Sequence, residues 1–382
     1  MKIAFFTDSY LPQWDGVVST IMGFRKELER QGHEVYIFAA GSRRDKAQNK
    51  DSHVYYHTSV PFKPYPAYRV ALFPYISERR VRKLGIDIIH THGMATLGLA
   101  ALTISKITKI PMVGTFHTMV TDATHYISSS QTVKRIGKKL AWKYLKWYYD
   151  NCEAVLAPSE WTCKLLRRKG IRNVIAVHPG IDTKRFKPGI KGREFRKKYG
   201  LGNSPVVLHI GRIVLEKNIG LLIRAAPYVL KKIPNCKFVI AGKGPAEAKY
   251  KRMVERKGLE KSFVFAGFLP GKMLPRAYAG SDVLAFPSTF ETLGIVALEA
   301  MACGLPVACA DHGPLKSMVK NGRNGIRFNP KSPKGCAEAI VRVYKGRERL
   351  GSAAAKMAEK YDTGMCVKRL VEVYEKVLEK KG

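Results

Sequence analysis

The sequence predicts an α/β protein of two domains, each a parallel sheet covered on both faces by helices, with a ligand cleft where the domains face each other. Three observations lead there. At 382 residues the chain exceeds one comfortable core, and 46% apolar with 10% aromatic residues marks it as globular. Short β-branched or aromatic runs alternate with helical patterns, and runs that are apolar throughout indicate strands buried on both faces. A Pro/Gly/Lys-rich stretch, Pro179–Ser204, divides the chain midway as a natural hinge. In such sheets ligands bind at the carboxyl ends of the strands.

In order, Ile3–Phe6, Val35–Ala39, Asp87–Thr91, Met112–Thr115, Ala154–Ala157 and Val174–Val177 read as strands of the first domain. Val206–Ile210, Phe238–Ala241, Ser262–Phe265, Val283–Phe286 and Val307–Ala310 read as strands of the second. The opening Met1-Lys-Ile-Ala-Phe-Phe-Thr-Asp8 turns polar after four apolar residues, so it is a first strand and no signal peptide. The stretch His90–Ser105 is interrupted by His, Thr and Gly and is too short to span a bilayer, so a cytosolic protein is expected. Seven cysteines lie scattered, with no C-x-x-C pair and several in apolar runs, which favours buried free thiols over disulfides or a metal site.

Charge is the most extreme bulk property: 67 Lys and Arg against 30 Asp and Glu, a net +37. A thermophile surface would carry a matching excess of Glu, which is absent. A polyanionic partner is expected instead, an anionic membrane leaflet or nucleic acid. No zinc-finger, RNP-like or helix-turn-helix pattern supports nucleic acid. An NAD-dependent oxidoreductase is disfavoured because Thr7-Asp8-Ser9-Tyr10, and no G-x-G-x-x-G, follows the first strand.

The residues richest in chemistry are Pro287-Ser288-x-x-Glu291-Thr292-Leu293-Gly294-Ile295, continuing through Glu299-Ala-x-Ala-x-Gly304-x-Pro306-Val307. Two carboxylates stand eight residues apart, one before an apolar helix and one inside it. Two helical turns would bring them to nearly one face. Gly294 leaves the helix N-terminus open to a phosphate. Solvated glutamates are the usual alternative, but this helix is apolar almost all round, and a buried helix keeps carboxylates only when something pairs with them. The segment resembles the E-x7-E signature of retaining, nucleotide-sugar-dependent glycosyltransferases of family 4, which have two facing Rossmann-like domains (the GT-B architecture). The resemblance runs from Asp8 to the last helix. It implies domains of 1–180, joined by a returning C-terminal helix within 364–382, and 181–363.

After the strand Val206–Ile210 comes Gly211-Arg212-Ile-Val-Leu-Glu216-Lys217-Asn218. Two cations at a sheet lip suit a diphosphate, Arg by its planar fork and Lys as a point charge. Ordinary surface cations would explain either alone; together with the strand, the glycine and the following helix they resemble the family's diphosphate site. The resemblance then implies that Arg212 and Lys217 stabilise the leaving nucleoside diphosphate, Glu291 binds sugar hydroxyls and Glu299 the ribose. It also implies donor contacts from Thr292, Leu293, Gly294 and Ile295, and backbone contacts to the base around Leu269. Gly244, in Gly242-Lys-Gly244-Pro245, either shapes the nucleotide pocket or serves turn chemistry alone. In Trp14-Asp15-Gly16, Gly16 matches a family glycine that lets backbone approach the donor, while Asp15 replaces another. No metal and no cofactor beyond the nucleotide-sugar co-substrate is expected.

Phe116-His117-Thr-Met-x-x-Asp122-x-x-His125-Tyr126 is similar to the subgroup that glycosylates diacylglycerol, where this segment faces the acceptor; His117 matches the position that touches the donor sugar. Next, Val133–Tyr149 carries six cations (Lys134, Arg135, Lys138, Lys139, Lys143, Lys146) and no acid. On a helix, Val133, Ile136, Leu140, Tyr144 and Trp147 form one apolar stripe, read as facing the core. The other face mixes the cations with Trp142, Leu145 and Tyr149, as an interfacial membrane helix does; a solvated helix is the alternative. The aromatic-basic segment Pro61–Tyr75 either extends that surface or forms a rigid loop. The expectation is a peripheral enzyme on the cytosolic membrane face, moving glucose from UDP-glucose to a lipid hydroxyl. Its nearest rival moves mannose from GDP-mannose to a phosphoinositol-type lipid.

Overall fold

The computed structural model describes residues 1–13, 15–62, 65–72, 78–117 and 131–380. The chain forms two compact units: Met1–Gly180 with Thr363–Gly382, and Ile181–Asp362. Unit 1 contains β1 (Lys2–Thr7), β2 (Glu34–Gly41), β3 (Val54–Phe62), β4 (Tyr65–Ala71), β5 (Ile88–Thr91), β6 (Met112–Thr115), β7 (Ala154–Ala157) and β8 (Val174–Ala176). They form one sheet in the order β4-β3-β2-β1-β5-β6-β7-β8. Unit 2 contains β9 (Val206–Ile210), β10 (Lys237–Ala241), β11 (Phe263–Gly267), β12 (Val283–Phe286), β13 (Val307–Ala310) and β14 (Gly325–Phe328), in the order β11-β10-β9-β12-β13-β14. Among the described residues every strand pairing is parallel except β3 with β4.

The fully apolar runs became strands because parallel strands covered by helices on both sides must be apolar on both sides. All eleven expected strands are present, each within two residues at its ends. Three strands were not expected: β3, β4 and β14. Pro61–Tyr75 is therefore no rigid loop over its described length, since it supplies the end of β3 and all of β4. Pro66 lies in β4, the sheet edge, and Pro61 lies beyond the last β2 partner of β3, positions where a missing N–H costs the ladder least.

The last helix, Thr363–Glu379, belongs to unit 1, where Val367, Leu370, Val373, Tyr374 and Val377 enter the core beside β1 and the helix Gly16–Arg30. Burial of each such side chain is worth about 1.5–3 kcal/mol. All seven cysteines are buried and free. Among the described residues no helix is long and apolar enough to cross a membrane.

Tyr374 also places its hydroxyl 2.5 Å from Nδ1 of the buried His90, whose Nε2 lies 2.6 Å from Thr115 Oγ1. Tyr374→Phe strands a buried ring nitrogen, and a cost of ~1–3 kcal/mol is expected. The check is the urea midpoint; wild-type stability in this variant would show the bond contributes nothing.

Candidate active site

In unit 2, four loops at strand ends carry the groups of interest. The loop after β9 carries Arg212, which is exposed, and then a single 3-10 turn, Leu215–Lys217. Asn218 ends that turn in the left-handed conformation, φ 53°, which Asn tolerates better than most residues. Its amide donates to the carbonyls of Pro287 at 3.4 Å and Pro330 at 3.1 Å, tying the loop after β9 to the loops after β12 and β14. That tie sets Lys217 against Glu291: Nζ meets Oε1 at 2.6 Å, with both side chains mostly buried. Each group is the other's counter-charge, which a half-buried ion requires.

The helix after Glu291 is Ile295–Ala302, so Glu291 lies in the loop, four residues before the helix. The expectation that two helical turns align the carboxylates is corrected. Gly294 stands at φ +98°, which breaks any helical path between them, and a Cβ there would also sit 3.0 Å from Leu315. No side chain caps this helix at Gly294, which leaves its N-terminus to other partners. Glu299 points elsewhere, to the Tyr278 hydroxyl, which donates to Oε2 at 2.7 Å. Burial pushes its carboxyl up to about 7, against the pull of Tyr278 and the nearby Arg185 charge. Leu269 and Leu293 turn their side chains into the core, so only their backbone can serve a ligand; Thr292 and Ile295 are partly exposed. At Gly244 a Cβ would come within 2.3 Å of the Ile213 carbonyl, so close packing against the Arg212 loop is itself a sufficient reason for that glycine.

In unit 1, Gly16 begins the helix Gly16–Arg30, and Asp15 is its N-cap, accepting from Val17 and Val18 N–H at 2.9 Å each. Where the family often has a glycine, a carboxylate thus already occupies the helix N-terminus. His117 follows β6, with Nε2 2.9 Å from Nδ1 of His92, which follows the adjacent β5. Burial pushes His117 down to about 3, so the ring is neutral at any ordinary pH. Asp122, His125 and Tyr126 lie outside the described residues.

The basic helix, Gln131–Tyr149, is present, but its faces are the reverse of those expected. Val133, Ile136, Leu140, Tyr144 and Trp147 are 37–59% exposed, whereas Trp142, Leu145 and Tyr149 are at most 9% exposed. The reason is local packing. Trp142 stacks on Phe116, the Tyr149 hydroxyl donates to Thr115 O at 3.2 Å, and Tyr148 bonds Thr91 at 3.0 Å. Lys146 pairs with Asp150, while Arg135, Lys138, Lys139 and Lys143 are exposed. The side chain of Lys134 is outside the described set.

His92, Asn218 and Tyr278 had not been singled out. His-x-His at a strand end, with both rings on one face by strand alternation, was a readable sign for the first. Nothing local marks the other two.

Residues 192–360 match the family described as "Glycosyl transferases group 1", and residues 14–185 match "Glycosyltransferase Family 4". The chain is 31% identical over 361 residues to the alpha-monoglucosyldiacylglycerol synthase of Acholeplasma laidlawii, covering 92% of this chain and 90% of that protein. It is 26% identical over 366 residues to a GDP-mannose-dependent alpha-mannosyltransferase of Mycobacterium tuberculosis, covering 93% and 91%. Among solved structures, Anabaena HepE in complex with UDP and glucose superimposes with a TM-score of 0.77 at 22% identity, covering 98% of this chain and all of that one, and shares the GT-B fold.

Glu299 makes stability depend on pH. Its carboxyl holds a proton more tightly folded than unfolded, so its contribution is complete below pH 4.5, is lost as pH rises toward about 7, and is constant above. Glu299→Gln keeps the Tyr278 bond without the charge. It should match wild type at pH 4.5 and be more stable at pH 8, by up to ~3 kcal/mol at ~1.4 kcal/mol per pH unit. Urea unfolding at both pH values is the check; parallel pH dependence in the two proteins would contradict it.

Proposed function

This chain belongs to glycosyltransferase family 4, and from that premise we propose that it moves a hexose, with retention, from a nucleotide sugar to the hydroxyl of a membrane lipid. Glucose from UDP-glucose and a diacylglycerol-type acceptor are the proposed substrates. The observation that carries the reading is the Lys217–Glu291 pair. A cation matched to the diphosphate and a carboxylate matched to the sugar are already joined, as neighbours on one bound donor must be. The likeness to a 31% identical protein named for glucosyldiacylglycerol synthesis supports the acceptor class. Mannose from GDP-mannose onto a phosphoinositol-type lipid is the second reading, favoured by the likeness to a mannosyltransferase.

In this mechanism the donor diphosphate takes Lys217 from Glu291, which is then released to accept hydrogen bonds from sugar hydroxyls. Arg212 and the uncapped helix end at Gly294 add positive charge where the leaving diphosphate becomes more negative. These fixed charges do the work a divalent ion does elsewhere, so no metal is required. Glu299 accepts from the ribose. His117, neutral, contacts the donor sugar. The acceptor attacks on the face the diphosphate leaves, and a phosphate oxygen takes its proton, which gives retention without a protein nucleophile.

The test is incubation with UDP-glucose, GDP-mannose and membrane lipid in excess chelator, with the product read by mass spectrometry and NMR. An α-glucosyl lipid is expected. Transfer only from GDP-mannose selects the second reading; a β-linked product, or activity only after adding Mg²⁺ or Mn²⁺, contradicts retention or metal independence respectively. Lys217→Ala and Glu291→Ala should each lower turnover by two or more decades, the scale of losing one preorganised charged group, ~3–4 kcal/mol. A near-normal rate in either removes that residue from the site.

We further propose that the exposed stripe of the basic helix rests on an anionic lipid surface. Val133, Ile136, Leu140, Tyr144 and Trp147 would enter the headgroup region, with Arg135, Lys138, Lys139 and Lys143 beside them. The cations contribute ~1 kcal/mol each near an anionic surface, a part that salt screens over roughly 8–10 Å. Replacing Lys138, Lys139 and Lys143 by Glu should abolish sedimentation with anionic vesicles. Leu140→Ser with Trp147→Ser should remove the binding that persists at high salt. Normal sedimentation of both variants would assign the helix to solvent and leave nucleic acid as the next partner to test.

A further inference from the structure

We propose that His92 is a positioning residue that holds His117 with its ring proton on Nδ1. His92 and His117 leave the adjacent parallel strands β5 and β6, and their rings lie 26° from parallel with centroids 5.1 Å apart. One hydrogen bond joins them, His92 Nδ1 to His117 Nε2 at 2.9 Å. Two neutral imidazoles share a single proton across such a bond, so one ring donates and the other accepts.

The surroundings of His92 decide the direction. Its Nε2 is buried with no hydrogen-bond partner. If that nitrogen carried the proton, an N–H would be orphaned in the core, whereas a lone pair left there is tolerated more easily. His90 cannot relieve it. That ring lies tilted against His92 with centroids 4.1 Å apart, but both its nitrogens are already engaged, with Tyr374 and Thr115. Phe5, edge-on at 4.7 Å, and Phe24 at 6.4 Å close the remaining sides with carbon. The proton of His92 therefore sits on Nδ1 and is donated to His117 Nε2. An accepting Nε2 fixes the proton of His117 on Nδ1, opposite to the form a free neutral imidazole prefers in water. Burial holds both rings well below the ordinary histidine range, so neither becomes a cation that would donate from both nitrogens.

This rests on the reading in which His117 meets the donor sugar, and it states what His117 offers there. The ring is a hydrogen-bond donor through Nδ1–H and cannot act as a base through Nε2. His92 touches no substrate in this scheme and acts only through its neighbour.

The experiment is long-range ¹H–¹⁵N correlation on the intact chain labelled with ¹⁵N-histidine, without substrate, the His117 signal being assigned by its loss in His117→Gln. The expected wild-type pattern is a protonated Nδ1 and a bare Nε2 on His117. His92→Leu should return His117 to the Nε2–H form and lower kcat about tenfold, the scale of one lost buried hydrogen bond, with KM for the nucleotide sugar little changed. His92→Asn, whose amide N–H reaches the place of Nδ1–H, should keep the wild-type tautomer and most of kcat. A wild-type His117 protonated on Nε2, or a tautomer that ignores His92→Leu, overturns the proposal. If His92→Leu fails to fold, the wild-type spectrum with His92→Asn decides alone. The spectrum needs no donor, so an incorrect tautomer leaves the transfer reading standing, and a correct tautomer in a protein without transferase activity does the reverse.

Discussion

Parallel strands in one sheet all end at the same edge, and almost every group discussed here follows the carboxyl end of a strand. His92 comes after β5, His117 after β6, Arg212 and Lys217 after β9, Gly244 after β10, Leu269 after β11 and Glu291 after β12. Residues from 212 to 291 meet because β9 pairs with both β10 and β12 in unit 2. A loop alone would position such groups poorly. Here each loop is short, begins from a strand whose register is set by a buried ladder, and is tied to its neighbours, as Asn218 ties two of them. Slipping a strand by one residue would turn its side chains to the opposite face and carry the following loop with it.

The groups singled out at these edges use different electrostatic solutions. In unit 1 the rings of His90 and His92 are fully desolvated, which holds both neutral. Unit 2 keeps ions, and Lys217 with Glu291 survive partial burial only as a pair. Glu299 lies between these cases, a carboxyl whose burial is only partly offset by Tyr278 and Arg185. Under the proposed mechanism the contrast follows from the donor. A diphosphate needs permanent positive charge nearby, whereas sugar hydroxyls are matched by a carboxylate that accepts, as at Glu291, or by a neutral hydrogen-bonding ring, as at His117.

The strands were legible because burial on both faces writes an apolar run with no competing signal. β3 and β4 were not, since Val54–Phe62 and Tyr65–Ala71 mix His, Thr, Arg and two prolines, a composition acceptable at β4, the sheet edge, and at the end of β3 that pairs with it. β14, Gly325–Phe328, is four residues long and opens on a glycine. Glu291, Lys217 and His117 were legible through motif and strand end. Their partners were not, because Asn218 reaches Pro330 across 112 positions and Tyr278 reaches Glu299 across 21, and no local pattern encodes such contacts.

The basic helix shows where periodicity stops. Its sequence carries two apolar faces, and a helical wheel finds both without saying which one meets the core. Longer and cleaner repetition favoured the Val133 stripe, but tyrosines 148 and 149 with Trp142 had hydroxyl and ring partners waiting on β5, β6 and Phe116, and packing chose them. The reversal strengthens the argument from charge. Cations spread over a +37 surface identify no partner by themselves, because any polyanion satisfies them. Cations flanking five exposed large apolar side chains on one helix narrow the choice. Nucleic acid offers those apolar groups little but base stacking, for which Val133, Ile136 and Leu140 have no ring, whereas a lipid surface offers hydrocarbon directly beneath its charge.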